Sequence, residues 1–386
     1  MTVRPICARG RRHALKQLAG AAAATVAVPL WAQSSAKSIV LGQSAAFSGP
    51  AAQLGEQFKR GALLFFDRLN AKGGVNGRTI ELKSLDDGYE PDRCKANTDR
   101  LIKDGVFALF GYIGTPTSLA ALPLASTAQV PFIAPFTGAQ ALREPFNRIA
   151  FHVRASYFDE TAEIVKQVTS IGAKRIAVFH QNDSYGKAGL DGVLRALKPL
   201  NLEPAALGTV ERNTVDVAAA VKSILAGKPD AIVQISAYKS CAAFIREARK
   251  AGYGGAFYNV SFVGTKALAD ELGADARGVI VSQVMPYPYS PVSALSGEYL
   301  AAGKATDGDK FEPNYSSIEG FVAAKTFSEA LKRMSGVPSP ETLIAGLESL
   351  RELNLGGFFV DFNATKHMGS RFVDLTILTS DGKVRR

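Results

Sequence analysis

Cysteine, histidine and tryptophan are scarce in this chain, and their scarcity closes off several kinds of chemistry. Three cysteines occur, Cys7, Cys94 and Cys241. No two stand close in sequence, so a thiolate metal centre or a redox dithiol has nothing to be built from. Cys94 and Cys241 lie in separate halves of the chain and are expected to be buried free thiols. The histidines His13, His152, His180 and His367 are scattered, without metal-ligand or catalytic spacing. The Gly-Lys pairs that start at 186, 227, 303 and 382 are not followed by Ser or Thr, so there is no phosphate loop. G-x-G-x-x-G, G-x-S-x-G and H-E-x-x-H are missing as well. Asp86-Asp87 is the one acidic pair that invites catalysis. Adjacent carboxylates on an extended chain point to opposite faces, so a structural or pocket-rim role is expected. No enzyme activity, cofactor or metal is expected. A Lys/Arg-rich run or an aromatic-interleaved basic stripe is also missing, which leaves nucleic acid without support as a partner.

What is present begins at the N-terminus. Arg4, Arg9, Arg11, Arg12 and Lys16 form a basic start with no acid among them, followed by an uncharged, alanine-rich run over 18–31 and small residues over 32–36. The apolar part falls short of the ~20 residues that span a bilayer, and basic, apolar, then small is the layout of an export signal. Arg11-Arg12-His13-Ala14-Leu15-Lys16 resembles a twin-arginine motif, while ordinary Sec export stays open. Residues 1–32 are therefore expected to be a removed signal and the mature protein to be periplasmic. The 45 Lys and Arg lose five with that segment and leave 40 against 35 acids, so the formal charge falls from +10 to about +5. That charge is ordinary for a chain of this size. Beyond the leader no apolar stretch reaches spanning length without a charge, so a water-soluble mature protein is expected.

Short β-branched runs alternate with longer amphipathic segments along the rest of the chain. Leu54, Phe58, Gly61, Ala62, Phe65, Phe66 and Leu69 fall at helical spacing after a strand over 38–43. Strands are predicted over 79–85, 106–110, 131–134, 175–180, 202–210 and 231–236. Helices are predicted from Pro91 to before Gly105 and over 118–128, 159–171, 187–197, 215–225 and 241–251. This βαβα order calls for parallel sheets with helices on both faces, an α/β fold. About 350 mature residues exceed one core, so two domains are expected. Lys37-Ser38-Ile39-Val40-Leu41 and Lys174-Arg175-Ile176-Ala177-Val178 both start a strand in the same basic-then-apolar way, with a boundary near 151–155. Two similar lobes facing each other would form a cleft at the carboxyl ends of their strands.

Gly42-Gln43-Ser44-Ala45-Ala46-Phe47-Ser48-Gly49-Pro50, Asn70-Ala71-Lys72-Gly73-Gly74-Val75-Asn76-Gly77-Arg78, Asp86-Asp87 and the loop 111–118 follow one another in that order. The ordered set, over about 38–380, resembles the type I periplasmic binding proteins that serve ABC importers of the leucine/isoleucine/valine class. The resemblance implies two flavodoxin-like (Rossmann-like) lobes joined by three hinge crossings: 37–153 plus 286–360, and 154–285 plus 361–386. It implies capture of a small-molecule ligand and delivery to membrane permease subunits, by a protein expected to be a monomer. A ligand-sensing regulator or receptor on the same fold is the alternative, and an enzyme on that scaffold the third.

The same resemblance implies that a solute's carboxylate is held by Gly114-Thr115 and Phe136-Thr137-Gly138, with Leu54 and Ile113 in the pocket wall. Tyr185 and Tyr238 would touch the solute from the second lobe. Ser261 falls where amino-acid binders place a carboxylate for the ammonium group, and a serine supplies no such charge. A small carboxylate or amide with an apolar or aromatic body is therefore expected in place of a standard α-amino acid. The disulfide positions of the family fall at Tyr89 and Gly114. On its own, Thr115-Pro116-Thr117-Ser118 reads as a hydroxyl N-cap with Pro in first helical position. A hydroxyl has one donor and two acceptor sites, so it can cap a helix and still donate to a ligand.

Overall fold

The computed structural model describes residues 38–386; the export-signal reading, on residues 1–32, lies outside the described residues. The described residues open with β1 (Ser38–Ala45), an inner strand of the first sheet. The chain continues through α1 (Ala52–Ala71), β2 (Thr79–Asp86), α2 (Pro91–Lys103), β3 (Ala108–Phe110), α3 (Thr115–Ala128), β4 (Phe132–Ile133) and β5 (Ala150–Phe151). These five strands are parallel, in the order β2-β1-β3-β4-β5, with Ser38 opposite Thr79 and Ala45 opposite Asp86. The order reverses at β1, so the loops after β1 and β3 open a crevice at the carboxyl edge.

The second sheet repeats the scheme. It contains β6 (Ile176–Gln181), β7 (Leu207–Val210), β8 (Ala231–Ile235), β9 (Ala256–Asn259) and β10 (Ile280–Gln283). These alternate with α4 (Tyr157–Ser170), α5 (Ser184–Leu197), α6 (Ala218–Ala226), α7 (Tyr238–Lys250) and α8 (Thr265–Leu272). The chain then returns to the first lobe, where α9 (Ala294–Asp307) and α10 (Tyr315–Arg333) pack on α1 and α11 (Pro340–Glu348) packs on α10. A short hairpin follows, β11 (Leu353–Asn354) with β12 (Phe359–Val360). Finally β13 (Asp374–Leu378) and β14 (Val384–Arg385) add antiparallel to the second sheet, giving β14-β13-β10-β9-β8-β6-β7. The chain thus passes between the sheets three times. The first and third passages are bound to each other: His152 N–H donates to His367 O at 2.9 Å and Gly369 N–H to His152 O at 2.7 Å.

Two helices meet without side chains between them. A Cβ on Gly61 of α1 would lie 1.7 Å from Ser317 O of α10, and one on Gly320 would lie 2.0 Å from Phe58 O. Glycine at both positions lets the backbones touch, which fixes α10 against α1. A large apolar core fills both lobes, with buried polar and charged side chains where they meet, and Cys94 and Cys241 are buried and free among the described residues. No helix among the described residues is long and apolar enough to cross a membrane.

The α/β alternation expected from the sequence is present, but the helix starts are shifted. α3, α5 and α7 each begin three residues before the apolar period does, and α4 two. Their first turns lie at the carboxyl ends of strands, where Thr115, Tyr185 and Tyr238 break the apolar stripe. The long predicted strand at 202–210 shrinks to Leu207–Val210.

Candidate functional site

The loops after β3 and β4 are tied side by side. Gly114 N–H donates to Phe136 O at 3.2 Å and Phe136 N–H to Tyr112 O at 2.7 Å, which brings Ile113 and Phe136 into register. Gly114, not Thr115, is the N-cap of α3, at φ 98°, a conformation natural to glycine. This corrects the expectation that Thr115 caps the helix: it is the first helical residue, and Pro116 comes second. The Thr115 hydroxyl lies 2.6 Å from that of Thr137, which in turn accepts Ala139 N–H at 3.2 Å and donates to the Tyr157 hydroxyl at 3.4 Å. Gly138 abuts Tyr157, whose N–H donates to Gly138 O at 2.8 Å. The pair of hydroxyls is fully buried.

Aromatic rings from both lobes close over this wall. Phe262, in the turn after β9, has its ring centroid 4.6 Å from Tyr185, 5.7 Å from Phe136 and 5.8 Å from Tyr89. Tyr157 and Tyr185 lie 5.5 Å apart. The Tyr185 hydroxyl is buried without a hydrogen-bond partner among the described residues. The Tyr89 ring rests on Gly114, where a Cβ would come within 2.2 Å of it. Residues 89 and 114, the family's disulfide positions, are thus neighbours here through a ring contact.

Behind the rings lies a buried charged group. Arg154, from the first passage between sheets, is 1% exposed, stacks over Phe136 at 4.6 Å and donates through Nη2 to the Ser261 hydroxyl. It is 3.7 Å from Glu160 of α4 and 3.5 Å from Glu319 of α10. Its Nε and Nη1 have no hydrogen-bond partner among the described residues. Glu160 accepts from Ser261 N–H at 2.7 Å, Ser261 Oγ at 3.0 Å and Ser282 Oγ at 2.6 Å. Burial pushes the Glu160 carboxyl up, against the pull of Arg154 and these donors. Burial also lifts Glu319 to about 7, with Arg154 opposing and Glu160 adding to the rise. Arg143 is buried close by, with its guanidinium on the carbonyls of Thr137, Ala139, Arg154 and Ala155 at 3.1–3.4 Å. Burial lowers its pKa to about 10, so it stays charged at neutral pH.

At the outer edge the lobes are clasped. Arg212 pairs with Glu90 at 2.8 Å and lies 3.5 Å from Asp183. Asn213 donates to Glu90 Oε1 at 2.7 Å and Gly88 O at 3.2 Å, and Gln181 donates to the Tyr89 hydroxyl at 3.3 Å. The aspartate pair below is structural. Asp86 accepts the N–H groups of Phe47, Ser48 and Gly88, while Asp87 accepts from Ser44 Oγ and Tyr89 N–H on the opposite side.

Ile113, Gly114, Thr115, Phe136, Thr137, Gly138 and Tyr185 are brought together, and Ser261 joins them through Arg154 and its neighbour Phe262. Leu54 and Tyr238 meet elsewhere along the seam: the Tyr238 phenol bonds the backbone of Gln53, and Leu54 lies against Gly264. The expectation that the position of Ser261 lacks a carboxylate needs correction. Residue 261 brings none, but Glu160 delivers one to its amide and hydroxyl. Arg154, Glu160, Glu319, Phe262 and Tyr157 escaped the sequence reading. Glu160 falls in an apolar stripe with Tyr157, Ile164, Val165 and Val168, and Glu319 lies between Ile318 and Phe321. An acid on a buried helical face was the available signal.

The family of periplasmic binding proteins matches residues 38–383. A possible leucine/isoleucine/valine-binding protein from Rhodopirellula baltica SH 1 is 34% identical, with a TM-score of 0.87 over 91% of this chain and 96% of its own. A substrate-binding periplasmic protein from Ralstonia solanacearum is 32% identical, with a TM-score of 0.84 over 90% of this chain and 99% of its own. A Leu/Ile/Val-binding protein of Citrobacter freundii is 23% identical over 87% of this chain and 93% of that protein. With its two doubly wound lobes and no enzymatic relatives among these, the chain belongs to the periplasmic binding protein family, in its leucine/isoleucine/valine type.

Proposed function

We propose that this protein is the periplasmic solute-binding component of an ABC importer. It closes around a small carboxylate- or amide-bearing solute and delivers it to a membrane permease, with separate ATPase subunits supplying the energy. The observation that carries this reading is the buried Thr115–Thr137 hydroxyl pair, set at the start of α3 in the seam where loops of both sheets meet. Hydroxyls at a helix N-terminus favour an anionic or carbonyl oxygen, and the rings of Phe136, Tyr185 and Phe262 suit an apolar or aromatic body. The lobes that move would be 37–153 plus 286–360 and 154–285 plus 361–386, after removal of residues 1–32 on export.

A second reading has one observation in its favour: the Glu160 carboxylate beside Ser261 suits an ammonium group, as in an amino acid. A thermal-shift screen of the mature protein against amino acids, amides, 2-oxo acids and aromatic acids tests the capture itself. A solute at 100 times its dissociation constant adds ~2.7 kcal/mol of stability. A panel with no shift in any class removes the solute-binding reading. Mass analysis of the periplasmic fraction tests export, and an intact Met1 chain in the cytoplasm overturns it.

A further inference from the structure

We propose that Arg154 receives the solute's carboxylate, so that the site selects a monocarboxylate over its 2-amino counterpart. The proposal rests on the solute-binding reading above and narrows it to one charge class. The guanidinium is held from three sides: Ser261 on Nη2, the Phe136 ring over its plane, and Arg143 on the carbonyl of its own residue. Its Nε and Nη1 have no hydrogen-bond partner among the described residues although the side chain is 1% exposed. The nearest carboxylates stand at 3.5 and 3.7 Å, where the attraction is Coulombic rather than a hydrogen bond. An orphaned buried donor is costly, and a planar guanidinium is shaped for a carboxylate.

Neither resident acid hydrogen-bonds these two donors. The Glu160 oxygens are occupied by Ser261 N–H, Ser261 Oγ and Ser282 Oγ. The backbone of α10, which carries Glu319, is held against α1 at Gly61 and Gly320. The guanidinium stacks on Phe136 with Nη1 on the side of Glu319, and the nearby Tyr185 hydroxyl is also unpartnered among the described residues.

The charge balance has a measurable consequence. The ionisable groups that face Glu319 are Arg154, Glu160 and Arg143, with Tyr157 and Tyr185 close to Arg154. Burial pushes both phenols up, so they are neutral. Two guanidiniums and two carboxylates sum to zero, so one added anion leaves a buried negative charge. That charge is cancelled when Glu319 takes up a proton, towards which its burial already inclines it. A zwitterionic amino acid adds no net charge and so calls for no such uptake.

The probes are 4-methyl-2-oxopentanoate and phenylpyruvate, each against its amino counterpart, leucine and phenylalanine. Calorimetry at pH 6 to 8.5, in buffers of different ionisation heat, reads affinity and protons together. At least one oxo acid is expected to bind ten or more times tighter than its amino counterpart, with proton uptake. Its affinity should fall towards tenfold per pH unit above Glu319's midpoint, as linkage of one proton requires. Glu319→Gln should flatten that dependence and bind the oxo acid at least as tightly as the parent at pH 8. Arg154→Lys, which keeps the charge but not the fork, should lose tenfold or more.

Tighter binding of leucine or phenylalanine, proton release, or weaker oxo-acid binding by Glu319→Gln would each overturn the proposal. Glu319→Gln keeps the test decisive if the arginine variant does not fold. An amide or amino acid that binds while both oxo acids fail sinks this proposal and leaves solute capture standing. Failure of every solute class in the thermal screen removes both.

Discussion

Two arginines cross the seam between the lobes, and they hold it in opposite ways. Arg212 has the better geometry, at 2.8 Å from Glu90, but its side chain is 25% exposed and that of Glu90 41%. Arg154 has poorer geometry, with acids at 3.5 and 3.7 Å, but is almost wholly desolvated. Water screens the first pair and leaves it a small net contribution. The second set has no water to fall back on, so losing one member strands the others. A tally of distances would rank the two the wrong way round.

The sharpest way to break this contrast is Arg154→Met, which leaves Glu160 and Glu319 facing each other. A loss of ~3–5 kcal/mol is expected in urea unfolding. A loss under 1 kcal/mol would put the inner group on a par with the outer clasp. Thr115→Ala tests the neutral wall between them. Removing the hydroxyl from a charged ligand oxygen should weaken solute binding by ~1.5–3 kcal/mol. Because Gly114 caps α3, no cap is lost and only the Thr137 hydrogen bond is given up; a drop in melting point with unchanged affinity would leave Thr115 a purely structural part.

The third test uses pH. Glu319 titrates at about 7 in the folded protein against 4.5 as its ordinary value. Folded protein therefore holds the proton more tightly, so this contribution is complete below pH 4.5 and is lost as pH rises through 7. Glu319→Gln should remove a decline on the order of 2 kcal/mol between pH 5 and 7, read from denaturation midpoints. Arg212→Ala should have the smallest effect, ~0.2–1 kcal/mol on stability, diminishing as salt is added. A salt-independent loss would mean that Arg212 is shielded more than its exposure suggests.

The sheets were legible because buried parallel strands and amphipathic helices announce themselves by period, as Leu54 to Leu69 does for α1. The starts of α3, α5 and α7 were not, because Thr115, Tyr185 and Tyr238 face the seam and interrupt the stripe. The lobe-1 loops at Thr115 and Thr137 could be placed from their resemblance. The charged group behind them could not: Arg154 falls at the lobe boundary, and Glu160 and Glu319 are single acids on helices 159 residues apart in sequence that only the fold brings together. Ser261 illustrates the limit. Its identity showed which residue lost a carboxylate, while nothing in its neighbourhood along the chain showed that α4 supplies another.

Phe262 gives the closed seam one more property. Its ring already lies among Tyr89, Phe136 and Tyr185, so the chain carries a tethered competitor for the apolar part of any solute. A solute with a branched or aromatic body gains only the difference between its contacts and those the ring gives up. Apparent affinity is the intrinsic affinity scaled by the fraction of molecules in which the ring has withdrawn. Discrimination among bodies is compressed by that exchange, and the solute's polar end, for which the chain carries no substitute, is left to decide what is admitted.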